Sequence, residues 1–87
     1  VLLFNHEKEA IIMTEKKVKI ATINDVKAFV STVMMYEYDV DLISGRYAVD
    51  AKSIMGLFSL DLTNDLVLKV HSNDCGDLIN DLAPFIV

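Results

Sequence analysis

Few side chains in this chain could act as nucleophiles or proton carriers. There are two histidines, His6 and His71, and one cysteine, Cys75. A metal centre needs three or four clustered His, Cys or carboxylate ligands. Two histidines far apart in sequence with one cysteine do not make such a set, so no metal site or cofactor is expected. The carboxylates Asp74, Asp77 and Asp81 recur at intervals of three and four. That spacing marks one side of a helix, read as a solvated face with no partner set for general acid–base chemistry. No catalytic residue is therefore expected. Cys75 opens an apolar helical stripe and reads as a small buried hydrophobe.

Ser53 is different. It follows Lys52 and precedes the short apolar run Ile54-Met55-Gly56-Leu57-Phe58. A serine at a helix start accepts hydrogen bonds from free backbone N–H groups. The same donors and the helix dipole favour an added phosphate, and Lys52 supplies a positive charge beside it. The residues by themselves leave a structural cap and a modification site equally open. In the helix so started, Leu57 and Leu60 are spaced to face inward. Ile54, Met55 and Phe58 share another face, which spacing alone allows to be either core or exposed.

The elements that position Ser53 follow from periodicity. Lys17 to Ala21 alternates polar and apolar residues, as a half-buried strand does. Thr22-Ile23-Asn24-Asp25 carries a capping-box pattern. Val26, Phe29, Val30, Val33 and Met34 then fall on one helical face, with the helix fading near Tyr36. Asp39 to Ile43 alternates again, with Val40 and Leu42 on one face. Ser44-Gly45-Arg46 marks a turn, and Tyr47-Ala48-Val49 returns as a second strand. After the Ser53 helix, Leu66 to His71 is a strand with Leu66, Leu68 and Val70 inward. Cys75, Leu78, Ile79 and Leu82 suit a last helix, ended or bent by Pro84. The order is β-α-β-β-α-β-α. These elements are best used by an α+β fold with a four-stranded antiparallel sheet and helices on one face.

Composition bounds the rest. Eighty-seven residues form one domain with one modest core, and 53% hydrophobic residues suffice to fold it. A net charge of −5 disfavours nucleic-acid partners. No apolar run approaches the length of a membrane span, so no membrane partner is expected. A single cysteine fits a reducing, cytoplasmic setting. Residues 1–12 are read as a leader or tail outside the fold, and residues 13–87 as the domain. Ala10-Ile11-Ile12 keeps open an extra strand or a partner-binding tail.

Lys52-Ser53-Ile54-Met55-Gly56, flanked by Asp39-Val40-Asp41-Leu42 and Leu57-Phe58-Ser59-Leu60, resembles the regulatory serine site of the HPr family. These are the small phosphocarrier proteins of the bacterial sugar phosphotransferase system. The element order from Val18 onward is also similar to theirs. The resemblance implies an open-faced β-sandwich and a phosphorylatable serine at Ser53. It also implies an exposed partner-binding patch of Ile54, Met55 and Phe58 with Lys52. The partners implied are proteins: a kinase/phosphorylase of the HPr type, a transcriptional regulator of carbon catabolite repression, or other phosphotransferase-system proteins.

The family's carrier loop, Gly-x-His-x-Arg-Pro-Ala, is not matched. The corresponding stretch, Ile20 to Val26, is shorter and holds no His, Arg or Pro. Asp25 would repel a phosphoryl group there. In pattern the chain is similar to the catabolite-repression HPr-like proteins, which also lack the histidine and keep the serine. Three readings follow. The first is a regulatory binding protein switched at Ser53 and not an enzyme. The second is an interaction module without phosphorylation. The third is a phosphocarrier using an unrecognised nucleophile, for which His71, outside the family position, is the candidate.

Overall fold

The computed structural model describes residues 13–87 in full, and Leu2–Phe4 and Ala10–Ile12 by their backbone pairing. These two short segments, β1 (Leu2–Phe4) and β2 (Ala10–Ile12), pair antiparallel with Leu3 opposite Ile11. They form a two-stranded sheet of their own. His6 lies outside the described residues.

The main sheet has four strands: β3 (Thr14–Val18), β4 (Val40–Ser44), β5 (Tyr47–Asp50) and β6 (Leu66–Val70). Their spatial order is β3-β6-β4-β5, and every neighbouring pair is antiparallel. The helices are α1 (Ile23–Met34), α2 (Ile54–Phe58) and α3 (Gly76–Asp81), followed by a single 3-10 turn over Ala83–Phe85. The expected α+β architecture is the one observed.

Register explains the two faces of the sheet. Val40 pairs with Val70 and Leu42 with Leu68, and all four side chains are buried. One residue along, Asp41 pairs with Lys69, which pairs in turn with Glu15 on β3. Lys69 Nζ lies 3.6 Å from Glu15. The alternating pattern therefore sorts apolar residues to the helix-covered face and charges to the open face. Val18, Val26, Phe29, Val33, Leu57, Leu66, Leu78 and Leu82 belong to the same core. The ring of Phe85 meets Phe29 edge-on at 5.4 Å, joining the C-terminal turn to α1. The C-terminal segment also covers part of the β3 edge. Lys19 N–H donates to the Phe85 carbonyl at 2.8 Å, and Val87 N–H to the Lys17 carbonyl at 3.0 Å.

Three features differ from the sequence reading. The first strand spans Thr14–Val18 rather than residues 17–21, because it runs only as far as β6 can pair with it: Val18 already faces Leu66, the first residue of β6. Ile20 is still buried, but within the connection to α1. Met34 was expected inward and is 63% exposed. At 100° per residue it sits about 90° from the centre of the stripe made by Val26, Phe29, Val30 and Val33. The Ser53 helix is a single five-residue segment, closed by Ser59.

Candidate functional site

The site is built on the junction between β5 and α2. Asp50, the last residue of β5, organises it. Its carbonyl accepts from Ser53 N–H at 3.0 Å, and its carboxylate accepts from Lys52 N–H at 2.9 Å. Buried Ala51 keeps the turn against the sheet by donating its N–H to the Val40 carbonyl at 2.9 Å. Ser53 is thereby held in an extended conformation (φ −100°, ψ 108°), as a helix N-cap requires. Its Oγ accepts from Gly56 N–H at 3.0 Å. The cap expected from sequence is therefore present.

Gly56 has a packing reason. A Cβ there would lie 3.2 Å from Ser53 Oγ and 3.2 Å from Val49 Cβ. The glycine lets α2 settle on β5 without displacing the capping hydroxyl. Leu57 is fully buried and Leu60 nearly so, which seats the inner side of α2. The outer side keeps its apolar residues in solvent: Ile54 is 37% exposed, Phe58 44% and Met55 74%. Lys52 and Ser53 are half-buried beside them. The turn thus brings together one capping hydroxyl, one lysine and three outward apolar side chains.

The start of α1, where the resemblance would place a carrier loop, has a different chemistry. Thr22 Oγ1 accepts from Asp25 N–H at 3.0 Å. Asp25 Oδ2 accepts from Ala21 N–H at 3.1 Å and Thr22 N–H at 3.2 Å. The capping box occupies those donors with the chain's own carboxylate. An arriving phosphoryl group would meet that negative charge. Ile23, the first residue of this helix, is apolar and exposed, and α1 packs against α2. Sequence reasoning did not single it out, since it lies off the buried stripe.

His71 lies elsewhere. Its Nε2 is 2.8 Å from Asp41 Oδ2, and its backbone N–H donates to the Asp39 carbonyl. Asp41 belongs to the charged, open face of the sheet, opposite the helices. Cys75 is buried at the N-cap of α3, with its Sγ 3.7 Å from the Ser72 carbonyl.

Of the carboxylates read from sequence as a solvated face, Asp77 and Asp81 each hold a tyrosine, while Asp74 contributes only its backbone carbonyl, 2.9 Å from the Tyr38 hydroxyl. Tyr36 donates its hydroxyl to the Asp81 carboxylate, and Tyr38 donates to Asp77 Oδ1 at 3.0 Å. The rings stack with centroids 5.9 Å apart. The Tyr36 hydroxyl is pushed up to about 12, chiefly because it donates a hydrogen bond to the Asp81 carboxylate, which favours the protonated phenol. Tyr38 is raised for the same reason by Asp77. This arrangement ties the α1–β4 connection to α3. Its signal, aromatic residues on one loop and spaced acids far along the chain, is visible only once the fold brings them together.

No protein-family model and no curated protein sequence matches the chain. Solved structures do. One is a phosphocarrier protein HPr from Bacillus anthracis str. Ames, with a TM-score of 0.70 and 22% identity. The match covers 86% of this chain and 98% of that one. Another is HPr-C-His from Thermoanaerobacter tengcongensis, with a TM-score of 0.68, 22% identity and coverage of 85% and 89%. TM-scores of 0.68 and 0.70 over 85% and 86% of this chain show that it has the fold of the HPr phosphocarrier proteins.

Proposed function

We propose that the chain is an HPr-like regulatory protein of the phosphotransferase system, acting as a protein-binding module and not as an enzyme. Phosphorylation of Ser53 switches it, in the manner of carbon catabolite control. The observation that carries this reading is the composition of one turn. A hydroxyl sits at the N-cap of α2, with Lys52 before it and exposed Ile54, Met55 and Phe58 around it. A phosphoryl group on Ser53 would add nearly two negative charges beside that apolar surface. Such a change alters which partners the surface accepts. Exposed apolar clusters mark interaction sites, and a methionine at the centre adapts to partners of different shape.

A histidine phosphocarrier role is disfavoured by the α1 start. No imidazole lies between Ile20 and Val26, and Asp25 already occupies backbone donors there. The domain is proposed to be residues 13–87, with residues 1–12 an appendage to it. The partners proposed are an HPr-type kinase and a regulator or phosphotransferase component that docks on α2.

The test is incubation with ATP and an HPr kinase, followed by mass spectrometry of the intact chain and its peptides. The expected result is one added phosphate on the peptide containing Ser53, and none on Ser53→Ala. Phosphate at another residue, or none, sinks the switch. Incubation with phosphoenolpyruvate and the first enzyme of the phosphotransferase system should leave no acid-labile phosphate. A positive result abolished by His71→Ala would establish the carrier reading instead.

A further inference from the structure

A second surface lies at the tip of the β4–β5 hairpin, beyond the end of α2. The register pairs Ser44 with Tyr47, and Leu42 with Val49 two positions away. Side chains two apart on a strand share a face. Tyr47 therefore holds a position on the same, helix-covered face as buried Leu42. Yet Tyr47 is 73% exposed. The cause is length: α2 has only five residues and is closed by Ser59, so the helix layer stops before the sheet does.

The step between them is a groove lined by Ser44, Gly45, Arg46, Tyr47, Ser59 and Asp61. Gly45 makes the sharp turn at its rim with φ 59°, the sign that two-residue hairpin loops require at their first position. Among the described residues, Arg46 makes no ion pair or hydrogen bond. The other wall carries Asp61, whose Oδ1 already accepts from Thr63 N–H at 3.0 Å.

We infer that this groove docks a partner-protein segment carrying one carboxylate beside an aliphatic or aromatic side chain. The carboxylate pairs with Arg46, and the apolar side chain covers Tyr47. Arginine forms the planar, bidentate pair that suits a carboxylate. Tyrosine and arginine are also the residues that most often anchor interfaces. Charge decides the rest of the partner. The chain carries −5 overall, which repels an acidic surface. The single carboxylate therefore sits in neutral or basic surroundings, and a basic neighbour in the segment would meet Asp61. Ile54, Met55 and Phe58 do not line this groove, and its docking does not depend on phosphorylation of Ser53.

The experiment pans a displayed library of random heptapeptides against the immobilised full-length chain. Recovered peptides are then measured by fluorescence anisotropy and by ¹⁵N chemical-shift mapping. The expected peptides carry one Asp or Glu next to an apolar residue and shift the amides of Gly45 to Ala48 and Ser59. Arg46→Ala and Tyr47→Ser should each weaken them by about tenfold, the scale of an interface anchor. Arg46→Lys should recover part of the loss, and changing the peptide carboxylate to its amide should match the Arg46→Ala loss. Met55→Ser should leave their affinity unchanged, which separates this surface from the α2 patch. Both hairpin variants are at exposed positions, and their melting curves confirm folding. The inference is overturned if no peptide is enriched, if the peptides bind Arg46→Ala as well as wild type, or if Met55→Ser weakens them equally. It is also overturned if sedimentation shows a dimer that Tyr47→Ser abolishes, since the occupant would then be a second copy.

Discussion

The cap at Ser53 can be separated from any role as a modification site by one small perturbation. Ser53→Ala removes Oγ, the acceptor for Gly56 N–H at 3.0 Å. The freed N–H is in a part-buried place beside Val49, where water replaces the lost partner poorly. Loss of a serine cap costs about 1 kcal/mol, within a range of roughly 0.5–2. An unfolding entropy of about 2.1 cal/mol/K per residue makes 1 kcal/mol worth roughly 5 °C in melting temperature for a domain of this size. Thermal unfolding followed by circular dichroism resolves such a shift. Ser53→Asp provides the control, because a carboxylate is an equally good cap and also adds a negative charge. It should melt close to wild type. The reasoning is refuted if Ser53→Ala melts within about 1 °C of wild type, far below the expected cap loss. It is also refuted if Ser53→Asp falls as far as Ser53→Ala. A normal melt for Ser53→Asp with altered partner binding would assign the change to charge at this turn, with stability excluded as its cause.

Other consequences are open to direct measurement. Leu57→Ala empties a fully buried position under α2 and should cost about 2–5 kcal/mol in urea unfolding, whereas Met55→Ala should stay within about 0.5. Equal losses would mean that α2 is seated the other way round. Asp25→Ala opens the capping box of α1 and should cost about 1 kcal/mol, read from the same urea midpoints. The tyrosine hydroxyls give an alkaline signature. The folded state holds Tyr36 protonated up to about 12, against an ordinary value of 10.0, and raises Tyr38 in the same direction. The stabilisation is fully present below pH 10 and is lost as pH rises through the folded value. The stability difference between wild type and Tyr36→Phe should therefore be constant below pH 10 and change between 10 and 12. A difference that stays flat across that window would show that the Asp81 contact does not form.

Much of this molecule is legible before folding. Thr22 and Asp25 announce the start of α1 because a capping box is a local device, made within four residues. Ser53 announces α2 for the same reason. The inward sets Val40 and Leu42, and Leu66, Leu68 and Val70, follow from the period of two. The wrong expectations came where the partner element decides. The alternation over residues 17–21 is real, but a strand ends where its neighbour ends, so β3 stops at Val18 opposite Leu66. Spacing places Met34 on the apolar face, yet it lies at the edge of the stripe and is 63% exposed.

The functional surfaces divide the same way. The serine, the lysine and the glycine of the α2 turn could be read from the chain, because cap chemistry and close packing depend on neighbours in sequence. Whether Ile54, Met55 and Phe58 belong to the core or to the surface could not. Periodicity assigns residues to faces of a helix, but only packing says which face is covered, and Leu57 and Leu60 took the sheet. The same holds for Tyr47, which has an inward register and no helix above it. It holds also for Tyr36 and Tyr38, whose acidic partners lie some forty residues away along the chain. Local hydrogen bonds are written in the sequence. Exposure, and contacts between distant side chains, exist only after the sheet and helices have set their lengths against one another.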